Sequence, residues 1–142
     1  MKIIWKKMKK NIEFNIKDTI LKNQLIRYKI LVWLYQLNQE NKLTSLDGIC
    51  NNLNYKKDEI LPNLKFLKEK GLIKYKENLN KEPVLGWGVG VKATAEGLKF
   101  IEEIELLKKT KGKPISQWIK SKASWIVPYI PKLIELIFNA QN

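Results

Sequence analysis

Most of the side chains in this sequence that could bind a ligand or take part in a reaction are cationic. Its 142 residues include 27 Lys and Arg against 14 Asp and Glu, a formal net charge of +13, and they include no histidine. The absence of histidine excludes a Ser-His-Asp triad, a Cys-His pair and an imidazole general base. The single cysteine, Cys50, cannot form an intrachain disulfide, and without histidine ligands it cannot build a structural zinc site. We therefore expect binding rather than catalysis, with no catalytic residue, no metal site and no cofactor.

The placement of the charge indicates a polyanionic partner. Residues 1–30 hold nine basic and two acidic side chains, residues 31–110 hold thirteen and eleven, and residues 111–142 hold five and one. The excess positive charge therefore lies at the two ends, and its field attracts a polyanion. The candidate partners are nucleic acid and an anionic membrane surface. A lysine-rich composition that serves solubility alone is the alternative.

The glycine-rich segment 86–90 does not carry the chemistry of a phosphate-binding loop. It lacks the Lys-Ser/Thr pair of a P-loop and the strand-to-helix context of a dinucleotide site. We interpret its glycines as part of a strand that lies close to another surface. Trp87 is interpreted as a core residue, and a stacking contact with a ligand is the alternative for it. Cys50 is interpreted as a small core residue, and the sparing use of cysteine fits a reducing cytoplasm.

These side chains need a scaffold, which the apolar spacing predicts in outline. The length suggests one domain that can bury enough surface to fold without a disulfide or metal. Residues 1–17 are predicted as a basic arm containing a short strand at 12–16, where apolar and polar residues alternate. A helix follows from an N-cap at Asp18 or Thr19 to about residue 39. Because this helix is apolar around much of its circumference, we expect it to be buried.

Three further helices are predicted from caps and spacing. The second helix begins after a Thr44 or Ser45 cap and ends near residue 52, where Asn54 is suited to a left-handed turn. The third covers about residues 57–70 and ends at Gly71, a residue type favoured just past a helix end. The fourth follows a Thr94 cap to about residue 109.

A β-hairpin separates the third and fourth of these helices. The alternation of apolar and polar residues predicts its strands at 72–77 and 84–91, joined by a turn-rich loop.

Residues 114–142 are predicted as a C-terminal helical extension. Seven apolar residues at spacings of three and four form a heptad-like seam, Ile115, Ile119, Ala123, Ile126, Ile130, Leu133 and Ile137. Pro128 and Pro131 indicate a kink or a break within it. Soluble monomers rarely expose such a large apolar patch, so the seam must be covered. The alternatives are a second copy of the chain, the chain's own core, and a membrane surface.

Two stretches carry a family resemblance. Residues 46–73 read LDGICNNLNYKKDEILPNLKFLKEKGLI, and residues 91–101 read VKATAEGLKFI. They resemble the winged helix-turn-helix regulators of the MarR/PadR-like sort, over about residues 25–106. In that family, apolar positions lock the two helices together, and here these are Leu46, Ile49, Leu53, Ile60, Leu64 and Leu67. The resemblance implies a mainly α fold with a small β-hairpin (α+β), a winged-helix domain at 18–110, between the basic arm and the C-terminal extension.

The resemblance also implies which residues contact DNA. In DNA-binding members the third helix enters the major groove, and phosphate contacts need only correctly placed charge and donors. The corresponding exposed residues here are Lys56, Lys57, Asn63, Lys65, Lys68, Lys74, Lys76 and Lys81. Asn63 is the candidate for an adenine edge. The neighbouring Asp58, Glu59 and Pro62 depart from the Ser, Thr, Arg or Gln of typical members, so binding to the DNA backbone is expected more than sequence-specific recognition.

The predicted function is therefore that of a cytoplasmic, DNA-binding winged-helix protein. It would act on double-stranded DNA as a transcriptional regulator, as a homodimer through its C-terminal helices. One alternative is a winged-helix protein-interaction adaptor, phage- or plasmid-encoded, without sequence-specific DNA binding. Another is peripheral membrane association through the C-terminal helices. An enzyme is the least expected class.

Overall fold

Helices supply most of the structure. The computed structural model describes the backbone of residues 2–109 and the side chains of residues 18–106. Its elements are α1 (Lys2–Gln39), α2 (Leu46–Leu53), α3 (Lys57–Glu69), β1 (Ile73–Lys74), β2 (Lys92–Ala93) and α4 (Ala95–Lys109). Three helices, an antiparallel hairpin and a closing helix are the elements of a winged helix in their usual order. The predicted fold class, mainly α with a small β-hairpin, is confirmed.

Helix α1 is longer than predicted. It runs without interruption from Lys2 to Gln39, so the short strand predicted at 12–16 and the N-cap predicted at Asp18 or Thr19 are both wrong. Residues 2–17 contain no proline and no glycine, and nothing in their sequence stops a helix from extending through them. The helix ends where Asn41 turns left-handed at φ 55° and the Lys42 N–H donates to the Leu37 carbonyl at 2.9 Å.

The middle of α1 forms the centre of the core, as its apolar circumference predicted. Ile26, Ile30 and Leu31 are fully buried, and the helix packs against α2, α3, α4 and β2. Much of the rest of the core is formed by Phe100 and Ile101 on α4 and by the apolar residues of α2 and α3. A single helix thus holds the other elements at fixed positions.

The helix-turn-helix forms through local caps that the sequence predicted. The Ser45 hydroxyl oxygen accepts the Gly48 N–H at 3.0 Å, which caps α2. Asn54 adopts the left-handed conformation (φ 59°, ψ 48°) and turns the chain toward α3. The apolar residues predicted to lock the two helices together are buried, except for the partly buried Leu53.

The end of α3 and the start of α4 are joined by hydrogen bonds. Gly71 is left-handed at φ 76°, and the Leu72 N–H donates to the Leu67 carbonyl at 3.0 Å, which closes α3 in a Schellman motif. The Thr94 hydroxyl donates to the Gly71 carbonyl at 2.6 Å and accepts the Gly97 N–H at 3.2 Å. The predicted caps at Gly71 and Thr94 are therefore confirmed, and together they fix how the hairpin leaves the core.

The hairpin, here called the wing (residues 73–93), has a different second strand from the one predicted. Ile73 pairs with Ala93 and Lys74 with Lys92, so β2 lies beyond the predicted segment 84–91. Between the strands, the chain makes a loop at 78–82 and a tight turn at 86–89. Lys81 in the loop and Trp87 and Gly88 in the turn have left-handed backbone conformations, which let the chain reverse direction. The wing is tied to the body by the Val91 N–H, which donates to the Thr44 carbonyl at 2.9 Å.

Some predictions concern residues outside the described part of the chain. The C-terminal extension at 114–142, its apolar seam and the dimer predicted from it all fall there, as do the side chains of the basic arm at 1–17. Among the residues that the structure describes, no helix has both the length and the hydropathy that crossing a bilayer requires.

Candidate nucleic-acid interface

The solvent-facing side of α3 is poor in groups that read bases. One strip of α3, at helical spacing, is formed by the exposed Asp58, Pro62 and Glu69 and the half-buried Lys65. This strip carries two carboxylates and one ammonium, so it repels phosphate more than it attracts it. Helix α3 begins at Lys57, which places Pro62 in the second turn rather than the first. The strip is thus poorly suited to reading DNA bases, as Asp58 and Pro62 predicted.

Asn63 is not part of this strip. Its side chain is 2% exposed, and its Oδ1 accepts the Arg27 Nε–H at 2.9 Å. Its Nδ2 donates to the Glu59 carbonyl at 2.8 Å and to Asn23 Oδ1 at 3.2 Å. The expectation that Asn63 is exposed is therefore wrong, and its contact to an adenine edge stays a prediction that this buried position disfavours. The physical reason is that α1 lies against this side of α3 and uses the amide to join the two helices.

Further contacts between α1 and α3 surround Asn63. The Arg27 guanidinium lies 3.6 Å from the centroid of the Phe66 ring, and its burial lowers the Arg27 pKa. Lys22 forms a 2.8 Å ion pair with Glu59, which raises the pKa of Lys22 and lowers that of Glu59. These contacts fix α3 against α1, and they engage the side chains of Asn63 and Glu59 within the protein.

Two of the lysines predicted to contact DNA form ion pairs that join α3 to the wing. Lys57, at the start of α3, is ion-paired with Glu82, and the same hydrogen bond raises the pKa of Lys57. Lys68, near the end of α3, pairs with Glu77 at 3.3 Å and lies 4.4 Å from the centroid of the Tyr75 ring. The two α3 lysines therefore neutralise the two carboxylates of the wing.

The lysines of the wing sheet have no such partners. Ile73 and Tyr75 are buried while Lys74 and Lys76 are exposed, so Lys74 projects from the outer side of β1 and Lys76 faces solvent two residues beyond it. Lys92 lies directly opposite Lys74 in the antiparallel register. Among the described side chains, none of these three lysines forms an ion pair.

We call Lys74, Lys76 and Lys92 the wing lysines. Directly opposed residues of an antiparallel pair have Cβ atoms about 5 Å apart, and like charges at that spacing repel. An anion bound between Lys74 and Lys92 would relieve the repulsion. Lys92 was not among the predicted contact residues, because its opposition to Lys74 depends on the register of the sheet and the second strand ends two residues later than predicted.

The remaining predicted lysines lie on α3 and in the 78–82 loop. Lys56 is exposed at the N-cap of α3, Lys65 is half-buried on its outer strip, and Lys81 is exposed in the 78–82 loop with φ 60°. None of the three forms an ion pair within the described residues. The candidate interface is therefore made of the wing lysines, and Lys56, Lys65 and Lys81 are further candidates on α3 and the wing.

The structure gives a mixed result for the glycine-rich segment. A side chain at Gly90 would lie 2.9 Å from the Thr44 carbonyl oxygen, so this glycine does lie close to another surface. Gly86 and Gly88 have open space around them and belong to a turn. The interpretation of Trp87 as a core residue is wrong, because the turn directs its side chain into solvent.

Cys50 has the surroundings of a structural residue. It is partly buried against the core, and burial together with the Asp47 carboxylate raises the pKa of its thiol. A raised pKa lowers the thiolate fraction, which disfavours reactivity. Among the described residues, no group of three or more His, Cys, Asp and Glu side chains is arranged to hold a metal ion.

Comparisons with known proteins leave the family open. No protein-family model matches the chain. No curated protein matches it. Among solved structures, the chain is similar to a MepR mutant from a multidrug-resistant S. aureus clinical isolate, with 15% sequence identity and a TM-score of 0.43 over 99% of this chain and 94% of that one. The fold assignment therefore rests on the order and packing of the elements described above.

Proposed function

We propose that this chain is a DNA-binding winged-helix protein whose wing lysines contact the phosphate backbone of duplex DNA. The observation that carries the proposal is the opposition of Lys74 and Lys92 on the outer side of the wing sheet, where no carboxylate of the described residues pairs with either lysine. Such a pair costs folding stability unless an anion is present. A polyanion of regularly spaced phosphates fits this requirement better than an isolated ion does.

The distribution of carboxylates strengthens the proposal. The wing contains two glutamates, Glu77 and Glu82, and each is paired with a lysine of α3. Without these pairs the glutamates would be available to the wing lysines. With them, the outer side of the wing keeps its positive charge, part of which lies on the paired strands at Lys74 and Lys92. Lysines placed in this way release counterions when they bind DNA.

The same structure favours backbone contacts over base reading. The solvent-facing strip of α3 offers two carboxylates, and Asn63 is buried. Direct readout needs hydrogen-bonding groups that reach the major groove edges, and the outer strip of α3 has one lysine and a proline between its acids. The proposed function is therefore DNA binding with weak dependence on sequence.

The form of this function that the sequence resemblance implies is a homodimeric transcriptional regulator. Two copies would double the phosphate contacts, and linked sites bind more tightly than either alone. Light scattering on the full chain, with and without duplex DNA, measures the oligomeric state. A monomer in both conditions would contradict the dimer and leave the DNA contacts of each copy untouched.

A salt titration tests the proposed interface. We would measure the affinity of the full chain for a labelled duplex by fluorescence anisotropy, between about 50 and 200 mM salt. The variant Lys74→Gln/Lys92→Gln should bind more weakly. If both lysines contact phosphates, the slope of log K against log salt should fall by about 2.

The matched control removes the same charge elsewhere. Lys42→Gln/Lys99→Gln changes two exposed lysines, in the α1–α2 loop and on α4, and should leave the slope unchanged. Failure of the wild type to bind DNA at the lowest salt would contradict the function. Equal losses in the two double variants would contradict the interface.

A protein-interaction adaptor is the second candidate function. The observation that favours it is the acidic strip on α3, because carboxylates disfavour DNA and suit a basic protein surface. DNA affinity at low salt and the removal of residues 114–142 distinguish the two functions. An adaptor would show no DNA affinity at low salt, while removal of residues 114–142 would abolish self-association or partner binding.

A further inference from the structure

A tryptophan forms the tip of the tight turn in the wing. Trp87 is 104% exposed, as much as a tryptophan in an extended peptide. It occupies a two-residue turn with Gly88, closed by reciprocal hydrogen bonds at 2.9 Å between the backbones of Gly86 and Val89. The turn is therefore held in one conformation, and it presents the indole without any covering side chain.

The backbone at this tip is unusual for a tryptophan. Trp87 has φ +53° and Gly88 has φ +75°, the signs of a type I′ turn, in which Asn-Gly is the favoured pair. Residues with bulky side chains rarely occupy the left-handed region. Trp87 thus combines a disfavoured backbone conformation with complete exposure of a large apolar side chain. Residues held in sparsely populated conformations occur more often at binding sites than elsewhere.

The charge around the turn indicates what the indole contacts. Trp87 lies five positions before Lys92 in the chain, so their Cα atoms are at most about 18 Å apart. That distance corresponds to about five base-pair steps of DNA. A backbone held at Lys74 and Lys92 would therefore lie within reach of the tip. A nucleobase has a flat face on which an aromatic ring stacks, whatever the base.

The bases of an uninterrupted duplex already stack on one another. A stacking side chain therefore gains most where a base is unpaired or where a step opens easily. We propose that Trp87 stacks on an unpaired nucleobase, so that this chain prefers DNA with an accessible base, such as a bulge or a single-stranded overhang, over a continuous duplex. This inference rests on the proposed function, because the wing lysines must first hold the phosphate backbone.

The experiment compares two substrates at one salt concentration. One is a continuous duplex, and the other is the same duplex with a single unpaired base in its centre. The wild-type chain should bind the bulged duplex at least about fivefold more tightly, the lower end of the range for one stacked base. Trp87→Asn should lose this preference and keep its affinity for the continuous duplex within about twofold.

Trp87→Asn is a suitable variant because asparagine fits the left-handed position, so the turn is retained while the aromatic ring is removed. Leu79→Asn is the matched control, since Leu79 is 103% exposed on the other loop of the wing and should keep the preference.

Four outcomes would overturn the inference. If the wild type binds both duplexes equally, or if Trp87→Asn keeps the preference, stacking is excluded while the proposed DNA binding stands. If neither duplex binds at low salt, both proposals fail. If Trp87→Asn instead removes binding to phosphatidylcholine–phosphatidylserine vesicles and leaves the bulge preference intact, Trp87 is a lipid contact.

Discussion

Gly97 is the residue at which α4 comes closest to the turn after α3. A Cβ atom added there would collide with the Leu72 carbonyl oxygen, which is itself held by the Thr94 N–H at 3.0 Å. Neither backbone can move without breaking the junction between the helices. The role of this glycine is therefore close packing rather than a special backbone conformation.

We expect Gly97→Ala to destabilise the chain by about 2 kcal/mol, as overpacking does in other cores. Alanine alone would favour the helix by up to about 1 kcal/mol, but a clash with fixed backbone outweighs that gain. Urea unfolding followed by circular dichroism measures the difference. An unchanged or raised unfolding midpoint would show that the helices separate easily at this point.

Tyr75 buries a hydroxyl that has no hydrogen-bond partner among the described residues. Burial, with smaller contributions from Glu77 and Glu69, raises the Tyr75 pKa to about 12. An unpaired buried hydroxyl costs stability, so Tyr75→Phe should be as stable as the wild type at neutral pH or more stable by about 1 kcal/mol.

The same raised pKa predicts an alkaline loss of stability. The pKa of Tyr75 in the folded chain lies above the unfolded value of about 10, so the unfolded chain loses the phenol proton at a lower pH. The free energy of unfolding is therefore unaffected by this group below pH 10 and falls as the pH rises toward about 12. Tyr75→Phe should show a smaller decline over this interval. Urea unfolding at about pH 7 and pH 11 tests this, and parallel declines in the two proteins would contradict it.

The sequence predicted Asn63 to be exposed and Trp87 to be buried, and the structure shows the reverse for physical reasons. Asn63 lies on a helix whose exposed side depends on where α1 crosses it, and no local pattern specifies that crossing. Trp87 alternates correctly for a strand, but the glycines on either side of it allow a turn instead. Both errors concern which way a side chain faces, and this depends on contacts distant in sequence.

The wing is an element whose charge depends on its attachment to α3. Glu77 and Glu82 are held by Lys68 and Lys57, pairs that are exposed enough to stabilise the fold by only about 0–1 kcal/mol each. Under the proposed function their larger effect is on DNA binding, because each pair would keep one carboxylate and one ammonium away from the bound DNA.

Removing the two carboxylates should therefore strengthen DNA binding. In Glu77→Gln/Glu82→Gln, the ammonium groups of Lys57 and Lys68 become available, and we expect tighter binding with a salt slope steeper by up to about 2. Glu40→Gln/Glu102→Gln makes the same change of charge away from the wing and should leave the slope unchanged. Weaker binding by the wing variant would mean that the pairs position the wing for DNA.

Element boundaries were predictable where a local interaction sets them. Ser45, Asn54, Gly71 and Thr94 act as caps or turn residues, because each uses its own side chain or its own backbone freedom within a few residues. The strands of the wing were not predictable to the residue. Each has two residues in the ladder, and their register depends on the distant junction between Leu72 and Thr94.

At the scale of the whole molecule, the order of elements was predictable and the charged surface was not. Helix caps and apolar spacing indicate three helices, a hairpin and a helix, and only one common arrangement buries them together. The sum of charges predicted a basic chain. Which lysines remain unpaired depends on the approach of α1 and the wing to α3, and the structure moves the candidate interface from α3 to the wing sheet.

This arrangement predicts how the whole molecule discriminates between DNA sequences. Specific regulators bind their sites about 10³- to 10⁷-fold more tightly than unrelated DNA, using base contacts from the recognition helix. Here α3 presents Asp58, Pro62 and Glu69 to solvent, and the wing lysines form no ion pair among the described side chains. We therefore expect affinities for unrelated continuous duplexes to agree within about tenfold at a fixed salt concentration, since phosphate contacts carry no sequence information.

Competition of a labelled duplex against a random-sequence pool measures this ratio directly. Repeated selection from the pool should enrich no consensus, and the best selected duplex should compete within about tenfold of the starting pool. A consensus with a preference of about 10³ or more would show that α3 reads bases after all. Since Asn63 is the side chain with the geometry for an adenine edge, that result would require it to exchange its bonds to Arg27 and Asn23 for bonds to DNA.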